Sequence, residues 1–206
     1  DRTWDAFGGC DVLCNNAGVF VGGKLWERSL RDWQWLLGVN LWGVIHGVHA
    51  FVPRMLAQDR PGHIVNTASL AGLISSPFLG VYNVSKHGIV TLSETLQHEF
   101  ALVGAKLRVS VLCPGMVNTR APDVERNRPV HLANVASPRP DELALAAAVR
   151  AGLAAGMDAS QVGEIVVAAL REDRFYIYTD LGSHAAIRTR MQDVLDGRNP
   201  SLAPTV

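Results

Sequence analysis

Short, almost wholly apolar runs alternate along this chain with stretches of helical periodicity, and that alternation limits the fold more than any other feature. Asp11-Val12-Leu13-Cys14 is such a run, stopped by the turn Asn15-Asn16-Ala17-Gly18. His63-Ile64-Val65-Asn66-Thr67-Ala68 is a second, Leu107 to Cys113 a third closed by Pro114-Gly115, and Phe175 to Tyr178 a fourth. Between them, Ser29 and Asp32 form an acidic capping box that opens a long helix through Trp33, Leu36, Leu37, Val44, Val48 and Phe51. Pro53 is expected to end or bend it. Ile89, Leu92, Leu96 and Phe100 predict a second helix running to about Gly104, and further helices are predicted over Asp141–Ala155 and from Asp158 to Arg171. The proline-bearing stretch from Asn118 to Pro140 lacks apolar periodicity, and a loop of that length is a functional lid or is disordered. Near-continuous apolar strands alternating with helices predict an α/β fold, a parallel sheet with helices on both faces. One domain is expected over residues 1–195, with a loose tail over 196–206.

Charge excludes some partners. Lysine plus arginine and aspartate plus glutamate each number 19, so no basic stripe invites nucleic acid and no polybasic segment invites a membrane surface. The apolar runs are broken by Gly, Asn, Ser or Pro, so no bilayer-spanning stretch is expected. The opening residues Asp1-Arg2-Thr3-Trp4-Asp5 do not read as a signal peptide. Cys10, Cys14 and Cys113 lie in or beside strand runs and read as buried free thiols of a reducing, cytoplasmic compartment. They contain no Cys-x-x-Cys pair, so no metal site is expected from them. His46 and His49 have no third ligand near in sequence and are read as packing or surface residues, as is His87. Trp26, Trp33, Trp35 and Trp42 flank one helix and read either as core and rim packing or as a subunit interface.

The chemistry concentrates at Ser69, Tyr82 and Lys86. Tyr82 and Lys86 are four apart in Tyr82-Asn83-Val84-Ser85-Lys86, hence on one helix face and roughly 6 Å apart along the axis. An ammonium so placed favours the tyrosinate, so Tyr82 is expected to exchange a proton with an alcohol or carbonyl oxygen near neutral pH. Ser69, thirteen residues earlier at the end of a strand, could hold the same oxygen.

These residues do not stand alone. Asn15-Asn16-Ala17-Gly18 after a strand, Asn40 in Gly38-Val39-Asn40-Leu41, Ser69 after Ile64-Val65-Asn66-Thr67-Ala68, Tyr82-x-x-x-Lys86, and Pro114-Gly115-Met116-Val117-Asn118-Thr119 occur in one order and spacing over residues 10 to 180. In this the chain resembles the short-chain dehydrogenase/reductase family. The resemblance implies a Rossmann-like doubly wound sheet and an NAD(P)-dependent oxidoreductase that moves hydride between nicotinamide and an alcohol or carbonyl carbon. It implies Tyr82 as general acid/base, Ser69 as orienter of the substrate oxygen, and Lys86 as the group that lowers the Tyr82 pKa and binds the nicotinamide ribose. Asn40 would hold a relay water, which needs a local break in its helix. Asn16, Ala17 and Gly18 would pass the adenosine half of NAD or NADP. Pro114, Gly115, Val117 and Thr119 would pass the nicotinamide half, and the polar loop after them would be the substrate lid. Ala71, Phe78, Val81 and Met116 are candidate pocket residues. The family's pairing of two long helices across a two-fold axis implies a homodimer or homotetramer, with Gly43-x-x-x-Gly47 allowing close approach.

The departure from the family is equally specific. Its glycine-rich phosphate-binding turn, Thr-Gly-x-x-x-Gly-x-Gly, has no counterpart here, and Gly8-Gly9 and Gly22-Gly23 do not precede a helix in a βαβ unit. The chain is therefore expected to be a fragment lacking the family's first three strands, with its first strand an uncovered edge prone to association. A non-catalytic cofactor-binding or scaffold protein is the alternative function, and an extended epimerase or dehydratase a third, disfavoured by the short C-terminal segment.

Overall fold

A computed structural model of the chain describes residues 1–134 and 137–202. In order, the chain forms α1 (Arg2–Phe7), β1 (Val12–Asn15), α2 (Leu30–Ala57), β2 (Gly62–Thr67), α3 (Gly80–Leu102), β3 (Leu107–Cys113), β4 (Val117–Asn118), α4 (Pro140–Ala154), β5 (Met157–Asp158), α5 (Ala159–Arg171), β6 (Tyr176–Tyr178) and α6 (His184–Leu195). Four strands make a parallel sheet in the order β1-β2-β3-β6, and β4 pairs with β5 separately.

Strand alternation divides the core between two layers. On one face Val109 meets Val52 and Met55 of α2 and Leu96 and Phe100 of α3, while Val111 and Cys113 meet Val44, Ile89 and Val90. On the other, Leu112 joins Val65 and Ile177 beneath Ala169 of α5. Helices thus cover both faces of a parallel sheet, the Rossmann-like arrangement expected from the alternation.

Several boundaries differ from the sequence reading. α2 does not end at Pro53 but continues to Ala57. Proline removes one i→i−4 hydrogen bond, yet both Pro53 and His49, whose carbonyl loses that partner, are exposed to water, and Val52 and Met55 are buried. By length and composition α2 could cross a bilayer, which corrects the expectation that no stretch could. Here it packs on α3 and β1, with Asp32 and Asn40 buried among polar partners. Gly47 faces Asn15 of the same chain: a Cβ there would lie 2.0 Å from Asn15 Oδ1. Its close approach within the chain is to β1, and a Cβ on Gly43 would meet no atom within 4 Å.

Among the three cysteines Cys113 is buried, Cys10 half-buried and Cys14, in β1 at the edge of the sheet formed by the described residues, exposed. Trp35 is in the core, whereas Trp26 and Trp42 are exposed. His46 lies against Trp42 at 5.5 Å between ring centroids, and among the described residues no three His, Cys, Asp or Glu side chains gather as a metal site.

The 118–140 stretch is more ordered than a plain loop. It contributes β4 and 3₁₀ turns at Ala121–Asn127 and Val130–Leu132, and its residues 135 and 136 lie outside the described residues. Arg128 donates to Asp32 Oδ1 (2.6 Å), Asn134 Nδ2 donates to the same oxygen (2.9 Å), and the Arg128 guanidinium sits 4.7 Å from the Trp35 ring centroid. The first part of the expected loose tail is likewise fixed: Ser201 donates through its backbone and hydroxyl to Asp193, at 3.0 and 2.6 Å. Residues 203–206 of that tail lie outside the described residues.

Candidate active site

The C-terminal ends of β1, β2 and β3 and the first turns of α3 bring most of the candidate residues together, at the end of the sheet where open α/β folds bind ligands. Ser69 follows β2 and caps a 3₁₀ turn over Leu70–Gly72, its Oγ accepting the Ala71 N–H at 3.2 Å. Gly72 permits this: a Cβ there would lie 2.7 Å from the Lys86 carbonyl oxygen. The turn therefore packs directly on α3, one helical turn beyond Tyr82.

Lys86 is 3% exposed, and its Nζ lies 5.5 Å from the Tyr82 ring centroid. Of its three N–H donors, one reaches Thr67 O at 2.9 Å, and no other acceptor bonds it among the described residues. Burial pushes the ammonium down to about 8 from 10.5. Burial also raises the Tyr82 phenol above its ordinary value, with a Ser69 hydrogen bond acting in the opposite direction. Desolvation thus prevails over the Ser69 hydrogen bond in setting the direction at Tyr82. Cys113, beneath the site, is a neutral thiol, pushed up to about 12 by burial against the opposing pull of Lys86.

Asn40 is fully buried, and its helix runs through it without the expected break. Its side-chain amide instead closes on the backbone of Val19, accepting the Val19 N–H at 2.8 Å and donating to Val19 O at 3.0 Å. It also donates to Ser85 Oγ (3.1 Å), which itself donates to Tyr82 O (2.8 Å). Asn40 therefore locks the strand-end loop to the first turn of α3. Ser85 and Val19 are members of this frame that the sequence reading missed; the serine beside Lys86 was the available signal for the first.

Gly18 lies against the same group: a Cβ there would be 3.7 Å from Lys86 Nζ and 3.6 Å from Asn40 Oδ1, ordinary contact distances. Asn16 accepts from the hydroxyl of Thr67 (2.9 Å), the same residue whose carbonyl holds Lys86. Asn16, Ala17 and Gly18 are all exposed. Pro114 O accepts the Leu70 N–H (3.0 Å), so the Pro114-Gly115 turn borders Ser69, and Gly115 donates to Thr179 Oγ1 (3.0 Å). Val117 and Thr119 lie farther along, in and after β4, and no hydrogen bond joins Thr119 to Ser69, Tyr82 or Lys86 among the described residues. A separate cleft of about 540 Å³, lined by Asp11, His63, Arg108 and Asp173 among others, shares no residue with this group.

Unused donors on a buried lysine, beside a tyrosine and serine at a strand end, fit a diol such as the nicotinamide ribose. What the chain lacks is the glycine-rich cradle for the pyrophosphate.

Comparison with known proteins accords with this arrangement. The short chain dehydrogenase family model matches residues 1–128. The chain is 34% identical over 206 residues to 1-deoxy-11-beta-hydroxypentalenate dehydrogenase of Streptomyces exfoliatus, covering 99% of this chain and 66% of that protein. It is 27% identical over 205 residues to the CLA biosynthesis dehydrogenase/reductase of Lactiplantibacillus plantarum, covering 98% and 72%. A crystal structure of a short chain dehydrogenase/reductase from Burkholderia phymatum in complex with NAD superposes with a TM-score of 0.97 at 44% identity, over all of this chain and 74% of that one. A putative short-chain dehydrogenase from Novosphingobium aromaticivorans gives 0.75 at 31% identity, over 98% and 63%. The chain thus spans about two thirds to three quarters of the length of these relatives. It belongs to the short-chain dehydrogenase/reductase family.

Proposed function

We propose that the whole protein is an NAD(P)-dependent oxidoreductase acting on an alcohol or carbonyl substrate, with Tyr82 as its general acid/base. The observation that carries this reading is the buried Lys86 ammonium, with a single acceptor, beside the Tyr82–Ser69 pair. In carbonyl reduction Tyr82 donates its phenolic proton to the substrate oxygen while the Ser69 hydroxyl hydrogen-bonds the same atom. Burial keeps the Tyr82 phenol in its protonated form, the form that acts as the acid in this direction. Lys86, held near 8, is a neighbouring group able to return a proton to Tyr82. Asn40 keeps the Val19 loop and the Tyr82 turn in register through its three hydrogen bonds.

NAD or NADP, when bound, supplies or accepts the hydride. Tyr82 and Lys86 would hold its ribose hydroxyls, Asn16, Ala17 and Gly18 would border its adenosine half, and Pro114, Gly115, Val117 and Thr119 its nicotinamide half. The NAD complex of the Burkholderia phymatum relative supports NAD as the first dinucleotide to try. The 118–140 segment would wall the substrate side. The exposed Trp42 on α2 and Val84 on α3 support a homodimer or homotetramer.

The test is spectrophotometric. The full-length natural protein is mixed with NADH or NADPH and a panel of ketones and aldehydes, and loss of absorbance at 340 nm is followed. Carbonyl-dependent oxidation of one dinucleotide is expected. Tight dinucleotide binding with no turnover across the panel would favour the scaffold alternative.

A further inference from the structure

We infer, resting on the dehydrogenase reading above, that Phe20 and Leu145 select the substrate and that it carries a flat, apolar ring system next to the reacting carbon. The Phe20 ring meets Tyr82 edge-on, with centroids 5.3 Å apart and planes at 70°, and Phe20 is half-buried. Leu145 closes on the same spot from α4: a Cβ on Gly22 would lie 2.7 Å from Leu145 Cδ2 and 3.3 Å from Phe20 Cζ.

This wall is held rather than swinging. Val19 is clamped by Asn40, and the Gly23 N–H donates to Phe78 O at 2.7 Å, so the 19–23 stretch is pinned at both ends. Phe78 adopts φ +63°, a conformation costly for an aromatic residue, at that anchor point. Two turns beyond Leu145, Gly152 of α4 lies over Met116: a Cβ there would be 3.5 Å from the Met116 methyl. α4 therefore bridges the Phe20 loop and the Pro114–Val117 segment, with Leu145 and Gly152 roughly 10 Å apart along its axis.

Charge points the same way. On the surrounding segments Lys24 pairs with Glu27 and Asp141, Arg28 and Arg139 with Glu142, Arg128 with Asp32, and Arg150 with Asp123. Arg31 and Arg126 donate to backbone carbonyls. Lys24, Arg28, Arg128, Arg139 and Arg150 thus have carboxylate partners within the chain, and the Phe20–Leu145 wall itself is apolar, matched to an uncharged apolar group.

The experiment uses the full-length natural protein, 1-tetralone as the ring ketone and 2-butanone as the small one. In Phe20→Ala the ratio of kcat/KM for 1-tetralone over 2-butanone is expected to fall about tenfold, chiefly through KM for 1-tetralone, and Phe20→Tyr is expected to restore it. An unchanged ratio, whether both substrates decline together or neither does, overturns the inference. Saturation-transfer NMR gives a readout independent of hydride transfer. If neither NADH nor NADPH is oxidised with any ketone or aldehyde of the panel, the dehydrogenase reading fails on its own. Transfer from aromatic and methyl protons to 1-tetralone that disappears in Phe20→Ala then still upholds the ring-binding wall, and its absence in the wild type refutes it.

Discussion

Lys86 carries a cost in stability that can be read directly. Its Nζ is buried with one hydrogen bond, and burial holds its pKa near 8 rather than 10.5. At 1.36 kcal/mol per pKa unit this corresponds to ~3 kcal/mol of penalty for the charged form. The sign follows from proton counting. Below about pH 8 the lysine is charged in folded and unfolded chains alike, and the folded state bears the full penalty. Between about 8 and 10.5 the folded lysine releases its proton before the unfolded one, so stability rises with pH. Other groups titrate in the same window, so the comparison is between wild type and Lys86→Met, whose difference isolates this site. Urea unfolding at pH 7, 8, 9 and 10 is expected to show the stability of wild type relative to the variant improving by about 2–3 kcal/mol across the series. A difference that stays flat, or one that moves the other way, would show that Lys86 is not an under-solvated ammonium and would remove the reason for its unused donors.

Two further perturbations probe the frame around the site. Gly47→Ala puts a Cβ on the Asn15 amide that donates to Asn66 Oδ1 (2.9 Å), and is expected to cost about 1–3 kcal/mol by urea unfolding; a loss under about 0.5 kcal/mol would mean β1 yields freely. Asp32→Asn, with the Asp32 and Arg128 side chains both 2% exposed, leaves the buried Arg128 guanidinium with only the exposed Glu125 carboxylate as a charge partner. It is expected to cost about 3–5 kcal/mol and to speed amide exchange over 128–134, whereas wild-type exchange there would show that the ion pair does not hold this segment.

The layer order and the position of the site were legible in the sequence because both rest on local signals. Apolar runs ending in Asn-Asn-Ala-Gly, Ala-Ser and Pro-Gly mark strand ends, and strand ends are where a parallel sheet presents its ligand groups. What was not legible depends on tertiary packing. Pro53 reads as a helix stop until Val52 and Met55 are seen to be buried against α3 and the sheet. Gly47 reads as a helix–helix contact until Asn15 is found over it. The Tyr82 pKa could not be read from a four-residue spacing, since spacing gives the charge neighbour but not the desolvation. Asp32 shows the opposite balance: burial alone would raise its carboxyl, but hydrogen bonds from Arg128, Asn134 and Ser29 hold it below the ordinary value. Those partners come from residues about a hundred positions away and from the adjacent cap, and only the fold brings them together.

The proton role of Tyr82 is tested most directly with dinucleotide deuterated at the transferable position. In the full-length natural protein, deuterium is expected on the carbinol carbon of the product, and Tyr82→Phe is expected to lower the single-turnover rate by at least a hundredfold while dinucleotide affinity, which loses one ribose hydrogen bond, falls by no more than about tenfold. Deuterium transfer at near wild-type rate in Tyr82→Phe would contradict the assignment of Tyr82 as the acid/base.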